Sequence, residues 1–177
     1  MNEKDKMLSG ELYNPMLETL PEERSRAKTL CHKYNRELDQ KYLKELLGKT
    51  GKTFQIEPNF FCDYGYNIEI GENFYSNHNL VILDPARVTF GDNVFIGPNC
   101  GFYTAEHPLD AERRNQWLEY AKPIKVGNNV WFGGGVTVVS GVTIGDNVVI
   151  GAGSVVVKDI PSNVVAVGNP CKVIKQL

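Results

Sequence analysis

The stretch Val126–Gly153, VGNNVWFGGGVTVVSGVTIGDNVVIGAG, sets Val126, Phe132, Val138, Ile144 and Ile150 at steps of six residues. Glycine follows each of them except Val138. A helix repeats about every 3.6 residues and a strand about every two, so neither alone gives a step of six. A short strand plus a corner does. Three such units close a triangular turn, and stacked turns gather the anchors into apolar columns. Side chains alternate along a strand, so the residue two places before an anchor also points inward, adding Ile124, Val130, Val136, Val142 and Val148. Gly and Asn suit the corners because they accept φ > 0, as in GDN at 91–93 and 145–147 and GNN at 127–129.

Outward from this stretch the step persists. Ile70, Ser76 and Ile82 form one series, Phe90, Ile96 and Phe102 a second, and Val156 extends the third. The first two are offset by two residues at DPA, 84–86, which reads as a small insertion. Phe102 and Val126 lie 24 residues apart, a multiple of six, so the register survives the segment between them. That pattern predicts a loop over 103–123 thrown out of a regular coil. A β-sandwich would instead show irregular spacing of about 8–12 residues. The fold expected is an all-β core, a parallel β-helix of hexapeptide repeats over 56–177 with that loop and a C-terminal tail.

Residues 1–55 read as an N-terminal helical segment. Thr19 and Glu22 in TLPEE have the spacing of a capping box, and Ala27, Leu30, Cys31, Tyr34 and Leu38 follow a helical stripe. A second helix over Asp39–Leu47 would bury Leu43, Leu46 and Leu47 and stop at Gly48. These helices are expected to cap one end of the coil. The tail IPSNVVAVGNPCKVIKQL breaks the period and is expected to close the other end and pack along its side.

Composition narrows the function. The chain has 177 residues, 42% hydrophobic and 23% charged, with a net charge of −2, so nucleic acid is not the expected partner. No apolar run reaches the roughly 18 residues of a membrane span, and the charged MNEKDKMLSGELY lacks the apolar stretch of a signal peptide, so a cytoplasmic protein is expected. Cys31, Cys62, Cys100 and Cys171 form no CxxC pair and read as reduced thiols packed as small hydrophobes. Of the histidines, His32 falls on the polar side of the predicted helix and His78 in a corner of the coil. His107 sits in the excursion YTAEHPLDAERRNQWLEYAKP, and long loops on rigid scaffolds often carry function.

GELY near the start, CDYGYNIEIGENFYSNHNLVILD, YTAEHPLD, KPIKVGNNVW, VTIGDNVVIGAGSVVVKDIPSNVV and GNPCKVIK resemble the maltose/galactoside O-acetyltransferases over nearly the whole chain. The resemblance implies a left-handed coil, acetyl-CoA as co-substrate and no metal. It also implies a homotrimer with active sites between subunits and a small carbohydrate acceptor. By the same resemblance His107 is the general base for a sugar hydroxyl and Asn77 helps hold that hydroxyl and steady the transition state. Asp63, Tyr75 and Asp84 fall where the family lines its acceptor pocket, and Glu119 could orient His107 or bind sugar. Gly134, Ala152, Val157 and Lys158 fall on the cofactor edge of the coil, with Lys172 and Lys175 on the tail and Trp131 flanking the groove. Competing readings are an acetyltransferase for a non-sugar hydroxyl such as an antibiotic, a non-catalytic scaffold, and a zinc hydratase, which needs three convergent histidines.

Overall fold

The computed structural model describes residues 1–177 and consists of a triangular β-helix with helices packed at one end. Three parallel sheets form its faces. Face one runs Phe54–Ile56, Phe74–Ser76, Val94–Ile96, Val130–Phe132, Val148–Ile150 and Val164–Val167. Face two is built from Phe60–Cys62, Leu80–Leu83, Gly101–Tyr103, Thr137–Val138 and Val155–Val156. Face three is built from Ile68–Ile70, Val88–Phe90, Ile124–Val126 and Thr143–Ile144. The hexapeptide anchors are buried as their spacing predicts, Ser76 included. Inside the coil Phe74, Phe90, Phe102 and Phe132 make successive edge-to-face contacts with centroids 5.3, 5.0 and 5.2 Å apart. Such pairs contribute beyond their apolar burial.

Register locates every irregularity of the coil at one corner. Phe60 pairs with Leu80 and Ile68 with Val88, a step of 20. The step becomes 36 between Val94 and Val130, 18 between Val130 and Val148, and 16 between Val148 and Val164. The residues gained or lost lie between face two and face three, at 63–67, 84–87, 104–123 and 157–159. We call this the second corner. The first corner joins faces one and two, and the third joins faces three and one. The insertion read at 84–86 and the loop over 103–123 both belong to the second corner.

The third corner keeps three residues in every turn, and here the glycines depart from expectation. Asn73, Asn93, Asn129, Asn147 and Asn163 take φ between 53° and 62°, whereas Gly91, Gly127 and Gly145 do not have positive φ. Close approach requires those glycines instead. A Cβ on Gly91 would meet Asn128 Oδ1 and lie 2.8 Å from the Gly127 carbonyl of the next turn. Asn supplies the left-handed corner and Gly the room above it.

Helix α1 (Glu3–Ser9), which the sequence reading missed, ends at Gly10 with φ 78°. Helix α2 (Leu20–Glu37) buries Ala27, Leu30, Cys31 and Tyr34 as predicted, but its expected capping box does not form. Thr19 is itself helical in backbone and spends its hydroxyl on Glu23, 2.9 Å away. Leu38 is exposed because it is the left-handed cap, φ 57°, where the helix has already ended. Helix α3 (Gln40–Leu46) is capped by Asp39 and buries Leu43 and Leu46. Its apolar face and that of α2 join the interior of the coil in one continuous core. All four cysteines are free and buried, and Cys31 Sγ lies 3.8 Å from Cys62 Sγ where helix meets coil. At the far end Lys172–Gln176 turns back antiparallel along Val164–Val167.

Candidate active site

The widened second corner needs partners for backbone that no strand satisfies, and Asp84 supplies them. Its carboxylate accepts from the N–H groups of Asp63 at 3.0 Å, Tyr64 at 2.9 Å and Gly65 at 2.7 Å. Asn67 Nδ2 donates in return to the carbonyl of Asp84 at 2.7 Å. One turn higher Thr104 Oγ1 accepts from Ala86 N–H at 3.1 Å and donates to the Leu83 carbonyl at 2.9 Å. Asp84 is fully buried, and burial pushes its carboxyl up to about 7 against the pull of the N–H groups. Asp84 was expected to line the acceptor pocket, but it is buried with both oxygens engaged by the chain, and its neighbours Asp63, Tyr64 and Pro85 line the cavity instead.

The loop leaves through a two-stranded neck, Ala105–Glu106 antiparallel to Tyr120–Ala121. Glu106 locks that neck, accepting from Lys122 Nζ at 3.1 Å, Tyr120 OH at 2.5 Å and Ser140 Oγ. Beyond it, α4 (Ala111–Asn115) is capped by Asp110, which accepts from Arg113 N–H at 2.9 Å. His107 follows the neck directly. Its Nδ1 lies 3.0 Å from the Leu118 carbonyl, a partner that can only accept, so Nδ1 carries the proton and Nε2 is left as the basic nitrogen. Nε2 stands 4.0 Å from Glu119 Oε2, close enough for that carboxylate to stabilise an imidazolium.

Glu119 is itself held. It exchanges backbone hydrogen bonds of 3.0 Å with Tyr13 in both directions, and the Tyr13 hydroxyl donates to its carboxylate. Tyr13 is buried against Met7, Leu20 and Tyr64, and that burial, with the Glu119 charge, raises its pKa so that it stays a donor. Asp63 faces the same space. Burial, and then the Glu119 charge, push its carboxyl up to about 6, with Arg24 and Lys28 opposing. Arg24 donates to Tyr64 OH and to the Pro15 carbonyl, each at 2.7 Å, which fixes the segment after Tyr13 as a wall. His107, Glu119, Asp63, Arg24, Met16 and Trp117 surround a cavity of about 230 Å³.

Asn77 and Tyr75 are elsewhere. They line a cavity of about 430 Å³ on face one with Phe95, Gly97 and Trp131, and His107 is not part of it. Backbone hydrogen bonds from Asn77 to Ile96, Gly97 to Phe132, Gly133 to Ile150 and Gly151 to Ala166 stack Asn77 below the small residues of the first corner. Gly134 and Ala152 are the next residues along the same corner, one position on from Gly133 and Gly151. A Cβ on Gly133 would lie 2.8 Å from Ala152 Cα, so no side chain fits at Gly133. Trp131, 57% exposed, borders the column on face one. Lys175 and Lys172, paired with Val165 and Val167, are exposed on the returning strand. Val157 and Lys158 stand across face two, at the second corner.

The predicted residues thus form two groups on two corners of one chain. His107, Glu119 and Asp63 come together over Asp84, while Asn77 and Tyr75 come together with Trp131 near Gly134 and Ala152. Tyr13, Arg24 and Trp117 were not singled out from sequence. Tyr13 had a signal in GELY, but its hydrogen-bond partner lies 106 residues away. No three His, Cys, Asp or Glu side chains gather as a metal site. His32 packs its ring edge on Phe61 and His78 meets the Pro58 carbonyl, both apart from His107. No helix is long and apolar enough to cross a membrane.

Comparison with known proteins agrees with this fold. A family described as the maltose acetyltransferase hexapeptide capping motif matches residues 6–51, and the bacterial transferase hexapeptide family (six repeats) matches 123–158. The galactoside O-acetyltransferase of Escherichia coli is 46% identical over 98% of this chain and 88% of its own. The crystal structure of a maltose O-acetyltransferase from Clostridium difficile superposes with a TM-score of 0.98 at 52% identity, covering 100% of this chain and 98% of that one. A galactoside acetyltransferase solved in complex with coenzyme A superposes with a TM-score of 0.95 at 46% identity, covering 99% and 91%.

Proposed function

Because this chain belongs to the maltose/galactoside O-acetyltransferases, a family of hexapeptide-repeat enzymes, we propose that it transfers acetyl from acetyl-CoA to a sugar hydroxyl, with His107 as general base. The observation that carries the reading is the fixed imidazole, its Nδ1 tied to Leu118 and its Nε2 left basic in a cavity with two carboxylates. A hydroxyl is a weak nucleophile at neutral pH. His107 Nε2 takes its proton as the oxygen attacks the thioester carbonyl carbon. The tetrahedral intermediate then collapses, the carbon–sulfur bond breaks, and the thiolate of CoA leaves and is protonated. Glu119 stabilises the transient imidazolium, and Asp63 accepts hydrogen bonds from other hydroxyls of the acceptor. The transfer is direct and leaves no acyl group on the enzyme.

Acetyl-CoA lies along the first corner in this proposal. Gly134 and Ala152 leave bare backbone for the pantetheine arm, Trp131 flanks it, and Lys172 and Lys175 attract the phosphates. Asn77, at the lower end of the column, holds the acceptor hydroxyl and steadies the transition state through its amide. His107 and Asn77 occupy different corners of one chain, so a working site takes the imidazole of one copy and the Asn77 column of the next. Val157 and Lys158, on the His107 side, then close the groove from the other copy. A homotrimer satisfies this geometry and repeats it three times by symmetry.

Purified protein and acetyl-CoA are mixed with glucose, maltose, galactosides or chloramphenicol, and free thiol is followed. Release with glucosides or maltose is expected, and turnover confined to chloramphenicol overturns the sugar acceptor. His107→Ala lowers kcat by about 10²–10⁴. Co-expression of His107→Ala with Asn77→Ala restores activity at about one site in four if the site is shared around a trimer. Absence of recovery in mixed trimers puts both groups in one chain's site.

A further inference from the structure

Trp117 takes no part in the chemistry above, yet its placement is the least expected in the loop. Its backbone φ is 64°, a region that bulky side chains avoid, and its indole is 65% exposed. Neither the conformation nor the exposure favours folding, and such outliers gather where a site needs a group held in place. The surroundings hold it. Trp117 N–H donates to the Arg114 carbonyl at 3.0 Å, and the Arg114 guanidinium donates to the Pro108 and Leu109 carbonyls at 3.1 Å each.

The cavity that Trp117 lines has a mixed lining. Asp63, His107 and Glu119 are polar and suit hydroxyls, whereas Met16, Pro15, Pro85 and Trp117 are apolar. Its volume, about 230 Å³, falls below the roughly 300–1,000 Å³ of sites that enclose a drug-sized ligand. One sugar ring fills it. Whatever is attached to that ring must leave past the rim, where the exposed indole offers a flat apolar surface. We propose that Trp117 is an acceptor-specificity residue, a platform on which a second ring of the acceptor stacks while the first presents its hydroxyl to His107. That second ring is an aryl aglycone or the next pyranose of a disaccharide, since both present a flat face that stacks on indole. The inference rests on the sugar-acceptor reading above.

Initial rates with glucose, maltose and p-nitrophenyl glucoside are compared for the parent, Trp117→Gly and Trp117→Phe. Glycine accepts the positive φ, so the first variant removes the ring without straining the loop. In Trp117→Gly the KM for the aryl glucoside, for maltose or for both rises about tenfold or more, and that for glucose stays within about twofold. Trp117→Phe restores most of the difference. Which two-ring acceptor responds identifies the ring the platform takes. KM values that rise by one common factor for all three sugars, or do not rise, overturn the proposal. So does a parallel rise in KM for acetyl-CoA, the mark of a merely structural role. A parent that releases no thiol with any glycoside overturns the sugar reading, and this inference with it.

Discussion

The third and second corners solve one problem, the satisfaction of backbone N–H groups where strands end, with different resources. At the third corner the lowest rung uses both oxygens of Glu72, which accept from Lys52 and Thr53 N–H, but from there upward a single side-chain oxygen from the turn above accepts one N–H from the turn below. Asp92 receives Glu72 N–H at 2.8 Å, Asn128 receives Asp92 at 2.8 Å, Asp146 receives Asn128 at 2.6 Å and Ser162 receives Asp146 at 2.9 Å. Aspartate, asparagine and serine serve equally because only one acceptor atom is needed. At the second corner one carboxylate, Asp84, carries three N–H groups and uses both oxygens. The uniform corner is redundant and interchangeable. The irregular one depends on single residues, and there the structure collects His107, Glu119 and Asp63.

The sharpest way to break this contrast is Asp84→Asn. The amide offers one oxygen where two were used and sets its NH₂ against an N–H, so stability falls by about 3 kcal/mol, read as a lower urea midpoint. The same variant tests the proton. The Asp84 pKa, raised from 3.8 to about 7 by burial, means the folded chain holds a proton that the unfolded chain has lost between those values. Parent stability therefore falls as pH rises from 3.8 toward about 7, and the asparagine variant loses that part of the slope. An unchanged slope removes Asp84 as its source.

Tyr13→Phe sharpens the contrast from the side of chemistry. It removes the hydroxyl that steadies Glu119 and keeps the buried ring, so kcat falls about tenfold with little change in KM for acetyl-CoA. Equal kcat in parent and variant detaches Glu119 from catalysis. The smallest effect is predicted at the regular corner. Asp92→Asn changes stability by less than about 0.5 kcal/mol and leaves kcat alone, because Asn128 already fills the equivalent rung. A loss comparable to that of Asp84→Asn would erase the distinction between the corners.

What was legible in the sequence divides along the same line. The step of six is a local property of the coil, so the inward sets and the excursion at 103–123 could be read from spacing. Resemblance in YTAEHPLD and CDYGYNIEIGENFYSNHNLVILD pointed to His107, Asp63 and Asn77, but spacing gave no hint that the first and last occupy different corners. Contacts made across the fold were beyond reach. Tyr13 meets Glu119, and Arg24 meets Tyr64, through a corner whose length no periodicity governs. The third-corner glycines were assigned the wrong reason, since a tight stacking distance leaves no trace in a single turn's sequence, whereas Gly135 and Gly153 of the first corner do take the positive φ expected. Thr19 carried a correct capping pattern that a competing contact with Glu23 overrode.

The returning strand Lys172–Gln176 bears on how large this object can grow. A stack of identical triangles has no intrinsic terminus, and its last rung would offer unpaired amides on which further chains could polymerise. On face one that rung is occupied by a segment of reversed direction carrying two ammonium groups, while α2 and α3 cover the opposite end. Growth along the axis is blocked at both poles, which leaves the flat sides as the surfaces open to partnership.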